Sequence, residues 1–307
     1  MNNSAIGALD IGGTKIAIGI ISPQGEIFAR EEISTEPNKP YEDSLQQILA
    51  IIKRNAIEHE KQLIGVGIGC TGQVSFENGQ ILMNAFLPTW VDKLICSDVQ
   101  ASLNVPAYLE NDADAAALAE FFWGAGKNKN QFIYTTISTG IGGGIILDGR
   151  IYRGWRNQHP EIGHHCVDPN GPQCFCGRKG CWETLASGRA LERRWADLYN
   201  QDKKAQEIYI MARDGSNSAR EQIQFQSFWV GIGLANLIHM FAPDGIALGG
   251  GVSRSYDLLA PRIFNILVEE CKLVKFKPEM ISFARLEPDT GLLGAAAVFV
   301  SRNGLVD

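Results

Sequence analysis

Twice in 307 residues the chain sets a glycine and threonine tip between two short β-rich runs, which points to two related lobes. The first tip is Asp10-Ile11-Gly12-Gly13-Thr14-Lys15, between runs at 5–9 and 16–21. The second is Ser138-Thr139-Gly140-Ile141-Gly142-Gly143, between 132–137 and 144–147. A third cluster, Gly249-Gly250-Gly251, follows the strand-like run 245–248 and precedes a helix expected to be capped at Ser253. Glycine tips let backbone N–H groups come close to an anion, because no Cβ stands in the way and positive φ is allowed. One such turn is only a tight β-turn. Three of them could surround a triphosphate, with Asp10 placed to act on Mg²⁺ through water. The GxxxxGK[ST] pattern of a P-loop is absent.

Between the tips, apolar residues recur at helical spacing over 41–60, 92–103, 112–125, 187–198, 218–241, 254–273 and 290–302. Further strand-like runs occupy 64–69, 106–109 and 279–284. Strands alternating with helices predict an α/β protein, and 307 residues allow two domains with a sizeable core. No Pro/Ser-rich linker marks the junction. It is expected near 112–125, with residues 1–118 forming a first lobe that the C-terminal helix of 290–307 rejoins. Residues 119–289 then form the second lobe, including a cysteine-rich loop at 161–183.

A formal net charge of −6 argues against a nucleic-acid partner, which would call for a basic field. The N-terminal residues lack the basic and apolar regions of a secretory signal, and no stretch approaches the ~18 uninterrupted apolar residues of a membrane span. A cytoplasmic protein without a membrane partner is expected. Seven cysteines, three of them crowded at Cys174, Cys176 and Cys181, favour a metal over disulfides in a reducing compartment.

Leu109-Glu110-Asn111-Asp112 follows a β-prone run and opens a helix, and in α/β folds ligands collect at the C-terminal ends of strands. Asp112 is equally placed to be that helix's N-cap. The functional reading has Asn111 positioning a hydroxyl while Asp112 accepts its proton, as phosphoryl transfer requires. The other constellation is Glu161-Ile162-Gly163-His164 with Cys174, Cys176, Cys181 and Glu183. One histidine and three thiolates complete a tetrahedral zinc shell with no open position, so such a metal would be structural. His165 and Cys166 are alternative members of the set. His59, His159 and His239 read as surface or packed residues, and Glu183 equally suits a solvated first turn of a helix.

These segments together resemble the ROK family of sugar kinases and sugar-responsive repressors. The resemblance rests on DIGGTK at 10–15, LENDADAAALAE at 109–120, STGIGGG at 138–144, EIGHHCVDPNGPQCFCGRKGCWETLASG at 161–188, LGGGV at 248–252 and DTGLLGAAA at 289–297. It implies the actin/hexokinase ATPase fold, two lobes around a central cleft, which accounts for the repeated hairpins. It also implies an ATP:hexose 6-phosphotransferase using ATP and Mg²⁺, with Asp112 as catalytic base. Asn111, Glu161, His164, Glu183, Gly72 and Asn84 would then meet the sugar. Zinc would be held by His164, Cys174, Cys176 and Cys181, with one imidazole nitrogen on the metal and the other on the sugar. Asp10, Gly12, Gly13, Thr14, Lys15, Thr139, Gly140, Gly250 and Gly251 fall on the nucleotide side, and a homodimer or homotetramer is implied.

Two departures bear on the substrate. Thr71-Gly72 stands where many members carry Pro-Gly, and His159-Pro160 stands before Glu161 where many carry a small pair. The second is similar to ROK fructokinases, whereas the Cys-x-Cys loop resembles glucokinases and N-acetylmannosamine kinases. The expected order is glucose, then N-acetylmannosamine or N-acetylglucosamine, then fructose or mannose, with the wall near Thr71, Gln73 and Asn84 deciding. From other classes, a ROK repressor needs a helix-turn-helix for which nine residues before Asp10 leave no room. A zinc-ribbon binding module fits an acidic chain poorly.

Overall fold

A computed structural model of the chain describes residues 3–305. The first two and last two residues, which the expected lobe limits 1–118 and 290–307 include, lie outside the described residues. The chain divides into two compact units. One runs through Asn128, takes up Gly144–Pro160 and resumes at Ala284. The other comprises Lys129–Gly143 and Glu161–Phe283.

The first unit opens with β1 (Ser4–Ile11), β2 (Lys15–Ile21) and β3 (Ile27–Ser34), then α1 (Tyr41–Glu58) and β4 (Gln62–Cys70). A small hairpin, β5 (Gln73–Ser75) and β6 (Gln80–Met83), precedes α2 (Ile95–Leu103), β7 (Ala107–Asn111) and α3 (Asp112–Trp123). Its main sheet has the order β3-β2-β1-β4-β7, with β1, β4 and β7 parallel and β2 antiparallel to both neighbours. Ile11, Ile18, Ile48, Ile52, Ile68 and Trp90 are fully buried in its core. The run Arg30-Glu31-Glu32 makes β3 a charged edge, the usual protection of an unpaired strand rim.

The last helix, α9 (Thr290–Asn303), belongs to this unit and approaches the sheet as closely as glycine permits. A Cβ on Gly67 would lie 1.8 Å from the Ala295 carbonyl oxygen, and one on Gly294 would lie 2.7 Å from the Ala115 carbonyl carbon. Small residues at these contacts therefore let α9 seat against both β4 and α3, which fixes the height at which α3 begins. Glu120, fully buried near the other end of α3, accepts N–H groups from Ala125, Arg285 and Leu286 at 2.8, 2.9 and 3.0 Å. Three donors meet the buried carboxylate's demand for partners.

The second sheet has the order β10-β9-β8-β11-β12, formed by β8 (Phe132–Ile137), β9 (Ile141–Leu147), β10 (Arg150–Ile151), β11 (Gly245–Gly249) and β12 (Ile281–Phe283). In the second unit β11 runs parallel to β8 and β12. Its helices are α4 (Trp182–Ala186), α5 (Gly188–Tyr199), α6 (Ala205–Arg213), α7 (Asn217–Phe241) and α8 (Tyr256–Glu270). The helix expected from 254 starts at Tyr256 after a 3-10 turn. Ser253 does not cap it; its hydroxyl donates to the Gly250 carbonyl at 2.6 Å.

Candidate active site

In the first unit the candidate residues gather at the C-terminal ends of β1, β4 and β7, where parallel strands present their last residues to a ligand. Asn111, not Asp112, is the N-cap of α3: its Oδ1 accepts from Ala113 N at 2.9 Å and Asp114 N at 3.4 Å. Its Nδ2 donates to the Gly72 carbonyl at 3.3 Å. Capping therefore occupies the acceptor, and one amide hydrogen remains for a ligand. Asp112 follows as the first helical residue, with Oδ1 accepting from Ala113 N at 2.9 Å. Burial is the main force raising its pKa, opposed by the Ala113 N–H, the His159 charge and a Thr71 hydrogen bond.

Asp10 is raised to about 6, first by burial and then by the charge of Asp112, against the pull of Lys15. Gly291, at the start of α9, backs its carboxyl so closely that a Cβ there would lie 2.2 Å from Oδ2. Lys15 itself reaches sideways to Glu32 at 2.5 Å, and the tip is closed by Gly12 N donating to Lys15 O at 3.0 Å. Thr14 contributes its carbonyl to the Thr35 N–H at 3.0 Å. Gly13 lies under the half-exposed ring of Phe86, 2.7 Å from Cγ to a Cβ built on the glycine.

Two expected sugar contacts are placed differently. Asn84 is 3% exposed, and its Oδ1 accepts from Phe86 N at 2.9 Å and Leu87 N at 3.1 Å while Nδ2 donates to Thr71 O at 2.9 Å. Its amide braces the loop, with Nδ2 also 3.7 Å from Cys70 Sγ. Gly72, at φ +91°, offers its carbonyl to Asn111; a Cβ there would lie 2.3 Å from Met83 O. Its part is to let β4 turn tightly behind Asn111.

Sequence reasoning passes over two ion pairs in this unit. Glu110, buried one residue before Asn111, pairs with Arg153, and His159 Nδ1 lies 2.8 Å from Oδ2 of the fully buried Asp114. Burial raises the Glu110 pKa, and Arg153 opposes the rise. Their partners are some 40 residues apart in sequence, and no local spacing announces them.

In the second unit, His164 Nδ1 and the Sγ atoms of Cys174, Cys176 and Cys181 all lie within 4.8 Å of one another. Cys174 Sγ is 3.5 Å from His164 Nδ1, and Cys176 Sγ is 3.5 Å from Cys181 Sγ. All seven cysteines are free thiols. A tetrahedral ion with metal–sulfur bonds of ~2.3 Å sets its ligand atoms roughly 3.8 Å apart, so this donor set fits one. Backbone bonds close the loop: Cys174 N donates to Arg178 O at 2.7 Å and Gly177 N to Cys174 O at 3.1 Å. An N–H from the Arg178 backbone holds the Cys176 thiol below its usual pKa. Of the alternative members, His165 turns its Nδ1 to Ile162 O at 2.6 Å and packs on Trp182, and Cys166 bridges Cys181 through backbone only. Neither is in the cluster.

The 3-10 turn Ile162–His164 carries the histidine, with His164 N donating to Glu161 O at 3.0 Å and the Glu161 side chain exposed. Glu183, in the first turn of α4, has Oε2 on the backbone N–H of Ile141 at 2.8 Å. It is thus part of the second hairpin's support, beside Gly140.

Beyond that hairpin lies a cavity of about 640 Å³, whose lining includes Ser138, Thr139, Arg189, Lys204, Tyr209 and Arg254. Gly251 also lines it, and Gly250 at φ +84° turns the chain out of β11, where a Cβ would meet Ile137 O at 2.6 Å. Its cations, Arg189, Lys204, Arg213 and Arg254, come from α5, both ends of α6 and the turn before α8, too dispersed for a motif to reveal. A pocket of this size with a glycine floor and several cations can take a polyanionic ligand with an organic body.

A model of the ROK family matches residues 6–302. The chain belongs to the ROK family. The glucokinase of Streptomyces coelicolor is 33% identical over 308 residues, covering 94% of this chain and 95% of its own. The xylose repressor of Bacillus spizizenii is 34% identical over 259 residues, covering 82% of this chain and 65% of the repressor. A ROK hexokinase from Thermus thermophilus matches with a TM-score of 0.86 at 32% identity, over 98% of this chain and 99% of its own. A ROK glucokinase from Streptomyces griseus, solved in complex with glucose and AMPPNP, matches with a TM-score of 0.79 at 31% identity, over 98% of this chain and 100% of its own. The fold is the actin/hexokinase-like ATPase fold of these ROK enzymes. Among the described residues no helix is long and apolar enough to cross a membrane.

Proposed function

We propose that the chain is an ATP-dependent sugar kinase that transfers the γ-phosphate to the 6-hydroxyl of a hexose, glucose before N-acetylmannosamine, N-acetylglucosamine or fructose. The observation that carries this reading is Asp112: a carboxyl on the first helical residue after a parallel strand, oriented through Oδ1 by the Ala113 N–H and approached by Thr71. Glucokinases about one-third identical over nearly the whole chain support the reaction class, and the glucose and AMPPNP complex of one relative supports glucose and ATP as the pair.

In this reading Asp112 takes up the hydroxyl proton as the oxygen attacks phosphorus, while the remaining Asn111 amide hydrogen steadies a neighbouring hydroxyl. Within the second unit, Glu161, the Nε2 of His164 and the Oε1 of Glu183 are the groups left for hydroxyls, since the opposite atoms of His164 and Glu183 already face Cys174 and Ile141. The glycine tips, at 12–13 in the first unit and at 139–140 and 250–251 in the second, are each of the kind that lets backbone N–H groups approach a phosphate closely. Mg²⁺ bound with ATP would screen phosphate charge, and Asp10 is the carboxylate that would meet it through water. Zinc on His164, Cys174, Cys176 and Cys181 would have no open position, and its contribution would be to hold the loop.

A sugar sensor is the second reading, favoured by the xylose repressor at 34% identity. Both readings use a sugar pocket, but only the kinase turns over. A panel of hexoses and N-acetylhexosamines with Mg-ATP, followed by coupled ADP release, decides between them. Saturable sugar-dependent ADP release supports the kinase; sugar binding without any release leaves the sensor.

A further inference from the structure

Asp114 lies two residues beyond Asp112 on α3, and no part of it is exposed. Neither of its carboxylate oxygens meets a donor in hydrogen-bonding geometry among the described residues; the group facing it is His159, with Nδ1 2.8 Å from Oδ2. Gly144 closes the other side, since a Cβ there would lie 2.9 Å from Oδ1. A fully buried carboxylate facing one partner is strongly destabilised unless that partner is a cation.

His159 is delivered to that position by a built loop. Gly154 N donates to Gln158 O at 2.8 Å, Asn157 N donates to Gly154 O at 3.0 Å, and Arg156 and Asn157 both take left-handed backbone conformations. Asn157 Nδ2 ties the loop to Glu77 at 2.5 Å. The His159 side chain ends 15% exposed, with Nδ1 on Asp114.

We propose that His159 is a positioning residue for Asp112: seated on the buried Asp114, it presents positive charge to the head of α3 and keeps the Asp112 carboxyl in its proton-accepting form. The inference rests on the reading of Asp112 as the base and deepens it.

The groups that act on Asp112 are Thr71, Asp114, the Ala113 N–H and His159, and Asp10 and Cys70 sense its charge in return. Glu110 and Arg153 neutralise each other nearby in sequence and space. Within that set the His159 charge favours the Asp112 carboxylate and the Asp114 charge opposes it. Removing the positive member leaves burial and like charge to hold the proton on Asp112 at higher pH. A merely structural His159 would have no such signature.

The experiment measures two quantities in wild type, His159→Gln and His159→Lys. One is the ¹³C NMR titration of the Asp112 carboxyl, assigned by its loss in Asp112→Asn; the other is the pH profile of kcat/KM. His159→Gln keeps a donor for Asp114 but no charge. Its Asp112 titration and its acid limb are both expected to move up by about one pH unit, a roughly tenfold loss on the acid side that shrinks at alkaline pH. His159→Lys should bring both back toward wild type. Should His159→Gln fail to fold, the ring shifts of wild-type His159 carry the test, since a neutral imidazole at the pH where Asp112 is ionised overturns the inference as well. An Asp112 carboxyl that titrates unchanged in His159→Gln overturns the inference. Activity surviving in Asp112→Asn would sink the base reading instead, and the NMR titration would still decide whether His159 sets the charge state of Asp112.

Discussion

Oε2 of Glu183 accepts the backbone N–H of Ile141 at 2.8 Å, two residues after Cys181 joins the thiol cluster. A Cβ on Gly140 would lie 2.4 Å from the same oxygen, so the hairpin and the carboxylate fit only because Gly140 has no side chain. One side chain therefore braces the glycine hairpin with one oxygen while leaving the other for a ligand. The cysteine loop and the hairpin at 138–143 are mechanically joined within the second unit.

That division of labour predicts a split between two substitutions. Glu183→Gln keeps an oxygen for the Ile141 N–H and should raise the KM for sugar by about 10–100-fold, the cost of ~1.4–2.7 kcal/mol when a charged hydrogen bond becomes neutral. Its KM for ATP should stay within about twofold. Glu183→Ala should raise both, because the hairpin loses its brace. Steady-state kinetics with each substrate varied in turn checks this, and equal effects of the two variants on ATP would remove the bracing role.

Asp112→Asn should lower kcat by roughly 10²–10⁴ while sugar binding survives, since a general base acts in the transition state more than in the ground state. Asparagine retains an oxygen for the Ala113 N–H, so the helix start should persist and the thermal midpoint should change little. Calorimetric sugar titration beside kcat makes the comparison. A rate within tenfold of wild type would take the base role away from Asp112.

Asp10 carries a stability cost that depends on pH. Its carboxyl is raised from 3.8 to about 6 by burial and by the neighbouring Asp112. Folding therefore favours its protonated form: the benefit is full below about pH 4 and is lost as pH rises through 6, leaving a deficit of about 3 kcal/mol at neutral pH without ligands. Asp10→Asn should thus unfold later than wild type at pH 8, by up to that amount, and the gap should narrow toward pH 5. Denaturant unfolding of ligand-free protein across that range tests it. The same substitution should depress ATP-dependent turnover. A variant no more stable at pH 8 would show that Asp10 is not strained by its surroundings.

Much of this architecture is legible in the sequence because its signals are local. The β1–β2 hairpin, β7 followed by α3, and the Cys-x-Cys loop each occupy one short segment with its own glycines, cap or ligand spacing. Elements without a strong local period are invisible in the same reading. β3 loses its alternation to the consecutive charges Arg30-Glu31-Glu32, and α6 is nine residues long, so neither is expected from the spacing. Missing α6 hides the wall of the 640 Å³ cavity, to which Lys204 and Tyr209 contribute. Asn84 is ambiguous for another reason: an asparagine beside a turn suits a ligand contact and a backbone brace equally, and only its bonds to Thr71, Phe86 and Leu87 reveal the brace. His159 reads as a packed or surface histidine because its partner Asp114 is 45 positions away, and only the fold brings them to 2.8 Å.

The cysteine loop supports the most direct test. Protein purified without added zinc should carry about one zinc per chain, because three thiols and His164 Nδ1 within 4.8 Å match a closed tetrahedral set. No position remains for a metal-bound nucleophile, so removal should act through shape. Cys176→Ser keeps the size of the exposed ligand but weakens the site, and it should lower the thermal midpoint by roughly 5–10 °C, as expected for about 2–3 kcal/mol in a unit of this size. Sugar affinity should fall with it, since His164 belongs to the cluster and Glu161 shares its turn. Through Glu183 the loss should also loosen the hairpin at 138–143, whereas the tip at 10–15, in the other unit, should keep its own backbone bond from Gly12 N to Lys15 O. Hydrogen exchange can read both tips in one experiment. Faster exchange at Ile141 with unchanged exchange at Gly12 is the expected pattern. Absence of zinc, or a Cys176→Ser protein with wild-type stability and sugar affinity, would overturn this role for the cluster.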